Sequence, residues 1–143
     1  MFSNSTKYAI KAVLYLAVNS SEEKKVVVND MAGLINVPKA YIAKILQELS
    51  KKNLISSTRG PKGGFYLSED NKKAKVYDIV IAMDEEQRMN SCLLSLKKCN
   101  IDNPCSLHHL AYNEKEAIIR KLNNTSLEEL VEHIKTGKSV FPI

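Results

Sequence analysis

The amino-acid sequence predicts a mainly α-helical protein with one small β hairpin. Segments with apolar residues at helical spacing lie on both sides of a short stretch in which two β-like runs flank a glycine-rich turn. The 143 residues, 44% hydrophobic and 26% charged, suffice for a compact domain with a small helical addition. We therefore expect a winged helix-turn-helix followed by a long helix.

The first three helices are expected to form the helix-turn-helix. Residues 6–18 are rich in alanine, leucine and isoleucine and predict a largely buried helix, and residues 19–25 form a polar loop. A second helix begins near Asn29 and stops at Pro38. Because proline lacks a backbone N–H but suits the first position of a helix, Pro38 also opens the third helix across a very short turn.

The third helix, residues 39–51, is predicted to have one buried and one exposed face. Its apolar stripe consists of Ile42, Ile45, Leu46 and Leu49. Its other face carries Lys39, Tyr41, Lys44, Gln47 and Lys51. Long cationic, polar and aromatic side chains in this position suit phosphates and base edges in a major groove, whereas a merely solvated lysine face is the alternative.

A hairpin wing follows the third helix. Residues 54–57 and 65–67 predict its two strands, and residues 58–64 predict the turn. The turn contains Arg59, Pro61, Lys62, Gly63 and Gly64. Glycine lets the tip approach another backbone closely while the cations supply charge, so a minor groove is a suitable target. A nucleotide-binding loop is excluded because the G-x-x-x-x-G-K-[ST] pattern is missing.

The excess of positive over negative charge lies entirely in the first half of the chain. Residues 1–75 contain 13 lysines or arginines against 6 acidic residues, whereas the remainder contains 8 against 10. A basic half-chain favours a polyanionic partner. Neither a signal sequence nor a membrane span is evident, so we expect a cytoplasmic protein without a membrane partner. No nucleophile–base pair or pair of acids suggests an enzyme with a small-molecule substrate.

The three cysteines, Cys92, Cys99 and Cys105, fall within fourteen residues. An odd number of thiols in a reducing compartment disfavours a stable disulfide. A thiol switch and a zinc site stay open, although the close C-x₂-C pairs common in zinc sites are missing. Intervals of six and five residues let thiolates surround an object larger than one ion, so we favour an iron–sulfur cluster. His108 lies one helical turn after Cys105 and is the expected fourth ligand, with His109 nearly as well placed.

Three of these features together point to a known family. The segments V-P-K-A-Y-I-A-K-I-L and R-G-P-K-G-G-F-Y-L, with the three cysteines, resemble the winged-helix regulators that include the iron–sulfur proteins IscR and NsrR and the cysteine-metabolism regulator CymR. The resemblance covers roughly residues 1–136. It implies a homodimer that binds a pseudo-palindromic double-stranded DNA operator through Tyr41, Lys44 and residues 59–64. It also implies that residues 1–75 form the DNA-binding domain and residues 76–143 the cluster-binding loop and dimerisation helices.

The resemblance also bears on the cofactor. IscR-like members hold a 2Fe-2S cluster through three cysteines and a histidine, which corresponds to His108 here. NsrR-like members hold a 4Fe-4S cluster, in some cases with an acidic ligand near the N-terminus, where residues 6–8 of this chain carry no carboxylate. A 2Fe-2S cluster is therefore favoured over 4Fe-4S, although the first cysteine interval is one residue longer than the IscR-like pattern. CymR-like members lack the cysteines.

Two helices are expected after the cysteines. The long one would keep one apolar face, made of Leu107, Leu110, Ala111, Ala117, Ile118 and Leu122. A last helix would begin at Thr125, with Thr125 and Glu128 forming a capping box. Two rival functions stay open. One is a regulator that uses zinc or direct thiol chemistry, and the other is an electron-transfer or cluster-transfer protein in which the winged helix serves only for interaction.

Overall fold

The computed structural model describes residues 1–83 and 86–143. In chain order the elements are α1 (Asn4–Asn19), α2 (Val28–Ile35), α3 (Lys39–Lys51), β1 (Ser56–Thr58), β2 (Gly64–Tyr66), α4 (Glu69–Lys72), α5 (Val76–Ala82), α6 (Glu86–Asn90), α7 (His108–Asn124) and α8 (Leu127–Lys135). The expected mainly helical fold with a small β wing is confirmed. Within the described residues, no helix combines the length and the apolar character needed to cross a bilayer.

Helices α1, α2 and α3 form the expected helix-turn-helix. Ser3 caps α1 by accepting a hydrogen bond from the backbone N–H of Thr6. Helix α2 ends at Ile35, its C-cap residue Asn36 adopts the left-handed conformation with φ 58°, and α3 follows directly after Pro38. The predicted stripe of α3 is confirmed, since all four of its apolar residues are buried against the first two helices.

The wing is a two-stranded antiparallel hairpin that pairs Ser57 with Phe65. The first strand begins two residues and ends one residue later than predicted, because Leu54 and Ile55 are buried in the core, and the second strand begins and ends one residue earlier. Val26, in the segment before α2, exchanges two backbone hydrogen bonds of 2.8 Å with Phe65. This extra pairing fastens the wing to the helices.

The main core contains residues from both halves of the chain. Helices α1, α2 and α3 pack together, and both α5 and α8 pack on α1. Leu127 of α8 and Ile79 of α5 are fully buried in this core. The boundary expected after residue 75 stays a prediction, and apolar contacts cross it.

The apolar face predicted for the long helix is half-buried at five of its six residues. Two of them, Ile118 and Leu122, pack against a second apolar cluster that contains Tyr77 and Met89. Among the six, Leu110 remains 73% exposed. In the isolated chain, α7 has 17 residues and none of them is buried, so much of its surface is available for a partner.

The capping box predicted at Thr125 is wrong by one residue. Ser126 caps α8 by accepting a hydrogen bond from the backbone N–H of Glu129. Thr125 closes α7 instead, because its hydroxyl donates to the carbonyl of Lys121 at 2.8 Å. The two helices are therefore separated by adjacent polar residues with different roles.

Candidate metal centre and nucleic-acid interface

The three cysteines lie in the irregular loop between α6 and α7. Short turns recur along it: the backbone N–H of Ser95 donates to the carbonyl of Cys92 at 2.9 Å, and that of His108 donates to Cys105 at 3.0 Å. Ser95 adopts a positive φ of 57°, which folds the chain back between the first two cysteines. Tight turns of this kind bring residues that are distant in sequence to one point.

The cysteine sulfurs meet in one cluster. The Sγ atoms of Cys92, Cys99 and Cys105 all lie within 4.8 Å of one another, and those of Cys92 and Cys105 are 3.6 Å apart. All three are free thiols and each is half-buried. Three sulfur atoms this close together could bind one soft metal ion or a cluster.

Backbone N–H groups and neighbouring thiols shift the pKa values of Cys92 and Cys99 in opposite directions. The N–H groups of Leu96 and Leu94 favour the thiolate of Cys92 and lower the pKa of that thiol to about 7. The N–H of Cys105 acts in the same direction on Cys99 at 3.4 Å. Burial and the thiols of Cys105 and Cys92 outweigh it, so the pKa of Cys99 is raised. Near neutral pH, Cys92 is therefore more ionised than Cys99.

His108, rather than His109, contacts the cysteines. It is the first residue of α7, and its Nδ1 lies 3.3 Å from Cys99 Sγ. Its other nitrogen, Nε2, is buried and has no hydrogen-bond partner among the described residues. The ring stacks on Tyr112, with centroids 5.1 Å apart and planes inclined by 17°. The exposed His109 instead packs its ring in a T-shaped arrangement with that of His108, with centroids 5.7 Å apart.

A cavity of about 370 Å³ adjoins these ligands and includes all three cysteines and His108 in its lining. A buried imidazole nitrogen without a partner is costly unless something binds it or the ring reorients. The donor set of three thiols and one imidazole suits zinc or an iron–sulfur cluster. The residues present therefore fit a thiolate-bound metal centre.

The residues predicted to contact DNA on α3 occupy two environments. Lys39 and Lys44 are exposed. Tyr41 is half-buried, and its hydroxyl is 2.7 Å from that of Ser5 on α1. Its ring also meets the ring of Tyr8 edge-on, at 5.8 Å. Tyr41 thus ties α3 to α1, and its contact with DNA stays a prediction.

The wing tip presents Arg59, Pro61 and Lys62 to solvent. Gly63 is required at the turn, since a Cβ on it would lie 2.4 Å from the carbonyl oxygen of Thr58. Gly64, with φ 153°, also passes close to the segment before α2, where a Cβ would meet the carbonyl oxygen of Val26 at 2.8 Å. The two predicted glycines thus shape the wing that carries the cations, and a groove of about 620 Å³ separates this wing from α3.

The sequence reasoning missed two residues of the cysteine site. Tyr112 and Lys115 line the same cavity as the cysteines. A signal for them was present, because positions 108, 112 and 115 follow the i, i+4, i+7 spacing of one helical face. It could be used only once the start of α7 at His108 was known.

Comparison with known proteins now identifies the family. The profile of the Rrf2 family, described as iron-dependent transcriptional regulators, matches residues 2–133. The chain belongs to the Rrf2 family. An HTH-type transcriptional regulator of Aquifex aeolicus is 32% identical over 145 residues, covering 100% of this chain and 98% of the relative. The regulator IscR of Photorhabdus laumondii is 31% identical over 127 residues, covering 89% of this chain and 76% of its own.

A solved structure supports the fold of this Rrf2 protein. The cysteine regulator CymR of Bacillus subtilis superposes with a TM-score of 0.71 at 20% identity, covering 93% of this chain and 97% of CymR. At this identity the similarity concerns the fold alone. These relatives are transcriptional regulators and not enzymes, and DNA binding follows from the family.

Proposed function

We propose that this Rrf2 protein is a homodimeric regulator whose affinity for operator DNA is controlled by a cluster held by Cys92, Cys99, Cys105 and His108. The observation that carries the proposal is the convergence of the three sulfurs within 4.8 Å beside an imidazole. The same chain carries a winged helix-turn-helix with exposed cations on α3 and on the wing tip. A ligand site and a DNA-binding surface in one small protein constitute a sensor.

A 2Fe-2S cluster is our first choice of ligand. Three thiolates with one imidazole form a mixed set of the kind that 2Fe-2S centres accept. A bound cluster supplies a centre that gains or loses an electron or reacts with nitric oxide. Cys92 at the beginning of the loop and Cys105 and His108 at its end would hold the cluster, and His108 would be the exchangeable ligand because imidazole is protonatable whereas coordinated thiolate binds more firmly.

The start of α7 connects the site to the rest of the protein. His108 is both a proposed ligand and the first residue of α7, so coordination fixes the N-terminus of that helix. We assign α7 as the dimer contact because none of its residues is buried in the isolated chain. Movement of α7 would change the separation of the two α3 helices in the dimer. A free-energy difference of a few kcal/mol between the two dimer arrangements suffices to change how much operator DNA is bound.

Anaerobic purification tests the cluster directly. We expect iron and acid-labile sulfide in a ratio near one, with visible absorption from sulfur-to-iron charge transfer. Cys99→Ser should lose both, and His108→Ala should change the spectrum and shorten the lifetime of the cluster. His109→Ala is the matched control because it removes the neighbouring imidazole, and it should behave as the parent protein. Equal effects of the two histidine variants would exclude His108 as the specific ligand.

To test DNA binding, the fragment that the protein binds most tightly is selected from a genomic library. Its affinity is then measured by titration with the protein at several salt concentrations. Lys44→Ala and Arg59→Ala should weaken binding, and each should reduce the salt slope by roughly two, because a dimer loses two phosphate contacts. Lys138→Ala, which removes an exposed lysine near the C-terminus, is the control. Binding that is the same in cluster-loaded and cluster-free protein would contradict the sensor.

Zinc is the second candidate because of the spacing of the sulfurs. A zinc–sulfur bond of 2.3 Å in a tetrahedron places two sulfurs about 3.8 Å apart. Cys92 and Cys105, at 3.6 Å, match that arrangement. Stoichiometric zinc without iron in the anaerobically purified protein would establish this alternative and exclude the cluster.

A further inference from the structure

Lys115 joins α7 to the cysteine loop at a second point. Its Nζ donates a hydrogen bond to the backbone carbonyl of Ser91, the residue immediately before Cys92. Lys115 is half-buried and lies two helical turns after His108 on the same face of α7. The loop is thus tied to one helix at its beginning through Lys115 and at its end through His108.

Lys115 places a positive charge at the edge of the cysteine site. Three thiolates carry three negative charges, whereas a zinc ion or an oxidised 2Fe-2S core carries two positive ones, so the loaded site is net negative. Among the described residues that line the cavity, Lys115 is the only lysine or arginine, and the lining contains no carboxylate. A cation at the edge of a partly buried site stabilises that negative charge more than it would in water.

We propose that Lys115 is a positioning residue that clamps the Cys92 end of the loop to α7 and offsets the negative charge of the bound centre. This inference rests on the proposed function, and it assigns a role to a residue outside the ligand set. Hydrogen bonds from the surrounding shell fix the orientation of metal ligands, and their removal commonly lowers metal affinity tenfold or more. Because the clamp belongs to α7, the order of the loop and the position of the helix are linked.

The test compares Lys115→Met with Lys115→Arg and Lys121→Met. Methionine keeps most of the apolar stem and removes the charge and the donor, whereas arginine retains both. Lys121→Met is the matched control, because this exposed lysine lies in the last turn of the same helix and outside the cavity lining. Far-ultraviolet circular dichroism checks that all three variants keep their helices.

Two readouts separate the clamp from a merely structural role. The first is hydrogen exchange of the backbone amides of residues 92–108 in reduced, metal-free protein. The second is the affinity for Co²⁺, measured by competition and by its thiolate-to-metal absorption. Lys115→Met should speed exchange in the loop and weaken Co²⁺ binding about tenfold or more. Lys115→Arg should restore most of both, and Lys121→Met should match the parent.

Failure of this inference is distinguishable from failure of the proposed function. Unchanged exchange or unchanged Co²⁺ affinity in Lys115→Met would overturn the role of Lys115. An equal loss in Lys121→Met would also overturn it, because the effect would then be general to the helix. If the parent protein bound neither iron nor Co²⁺ through its thiols, the metal site would fail as a whole, and the exchange measurement would still decide whether Lys115 holds the loop.

Discussion

Replacing Gly63 with alanine should open the turn of the wing. The new Cβ would lie 2.4 Å from the carbonyl oxygen of Thr58 and 2.9 Å from that of Gly60, whereas real Cβ contacts stay beyond 3.0 Å. The Thr58 carbonyl belongs to backbone and cannot rotate away as a flexible side chain would. The turn must therefore widen, which breaks the 2.9 Å hydrogen bond from the N–H of Gly63 to the carbonyl of Gly60.

The magnitude follows from these two effects. A lost backbone hydrogen bond costs about 0.5–1.5 kcal/mol, and local strain of this kind costs about 1–3 kcal/mol. We expect the free energy of unfolding, measured in urea at fixed protein concentration, to fall by about 2 kcal/mol. Affinity for duplex DNA should fall about tenfold or more, because the tip with Arg59 and Lys62 no longer holds its position.

Gly33→Ala is the control for this experiment. Gly33 lies within α2, and a Cβ there meets nothing within 4 Å. Alanine at this position should raise the free energy of unfolding by about 0.5–1 kcal/mol, because glycine in a helix interior has the larger conformational entropy when unfolded. If Gly63→Ala left stability and DNA affinity unchanged within error, the close approach at Thr58 would be refuted as the reason for this glycine.

Three further substitutions test hydrogen bonds that hold the wing, α3 and α8 in place. Ser20→Ala removes a hydroxyl that accepts a hydrogen bond from the backbone N–H of the buried Leu67 at 3.1 Å. The variant should have a free energy of unfolding lower by about 1–3 kcal/mol, because it leaves that N–H without a partner. A decrease below about 0.5 kcal/mol would contradict this role of Ser20. Tyr41→Phe removes the bond to Ser5 and should cost about 0.5–1.5 kcal/mol in urea unfolding, with no loss if Ser5 is already alanine. Ser126→Ala should cost about 1 kcal/mol by removing the cap of α8, and an equal stability of parent and variant would show that the cap is unimportant.

The helix-turn-helix and the cysteine site were predictable to different extents. Local periodicity suffices to mark the buried stripe of α3, and a proline between two helical segments marks their junction. The clustering of Cys92, Cys99 and Cys105 indicates a common ligand, but not the distances between their sulfurs. Those distances depend on the turns of an irregular loop, which hydrophobic periodicity does not describe.

The sequence predicted less accurately the elements whose positions depend on contacts with distant residues. The pairing of Val26 with Phe65 joins segments nearly forty residues apart; the three consecutive valines at 26–28 favour an extended segment but do not indicate its partner. Thr125 and Ser126 are both suitable caps, and the choice between them depends on where α8 docks against α1. Packing decided between locally equivalent alternatives.

By itself, the sequence determined the class of fold, the buried face of α3, the basic wing and the group of thiols that can bind a soft ligand. These features are properties of residue type and short-range spacing. The tertiary structure decided that His108 rather than its neighbour faces the sulfurs, that Tyr41 is bound to α1, and that Lys115 reaches the residue before Cys92. Each of these contacts joins different elements, so it exists only once the packing of the chain has fixed their relative positions.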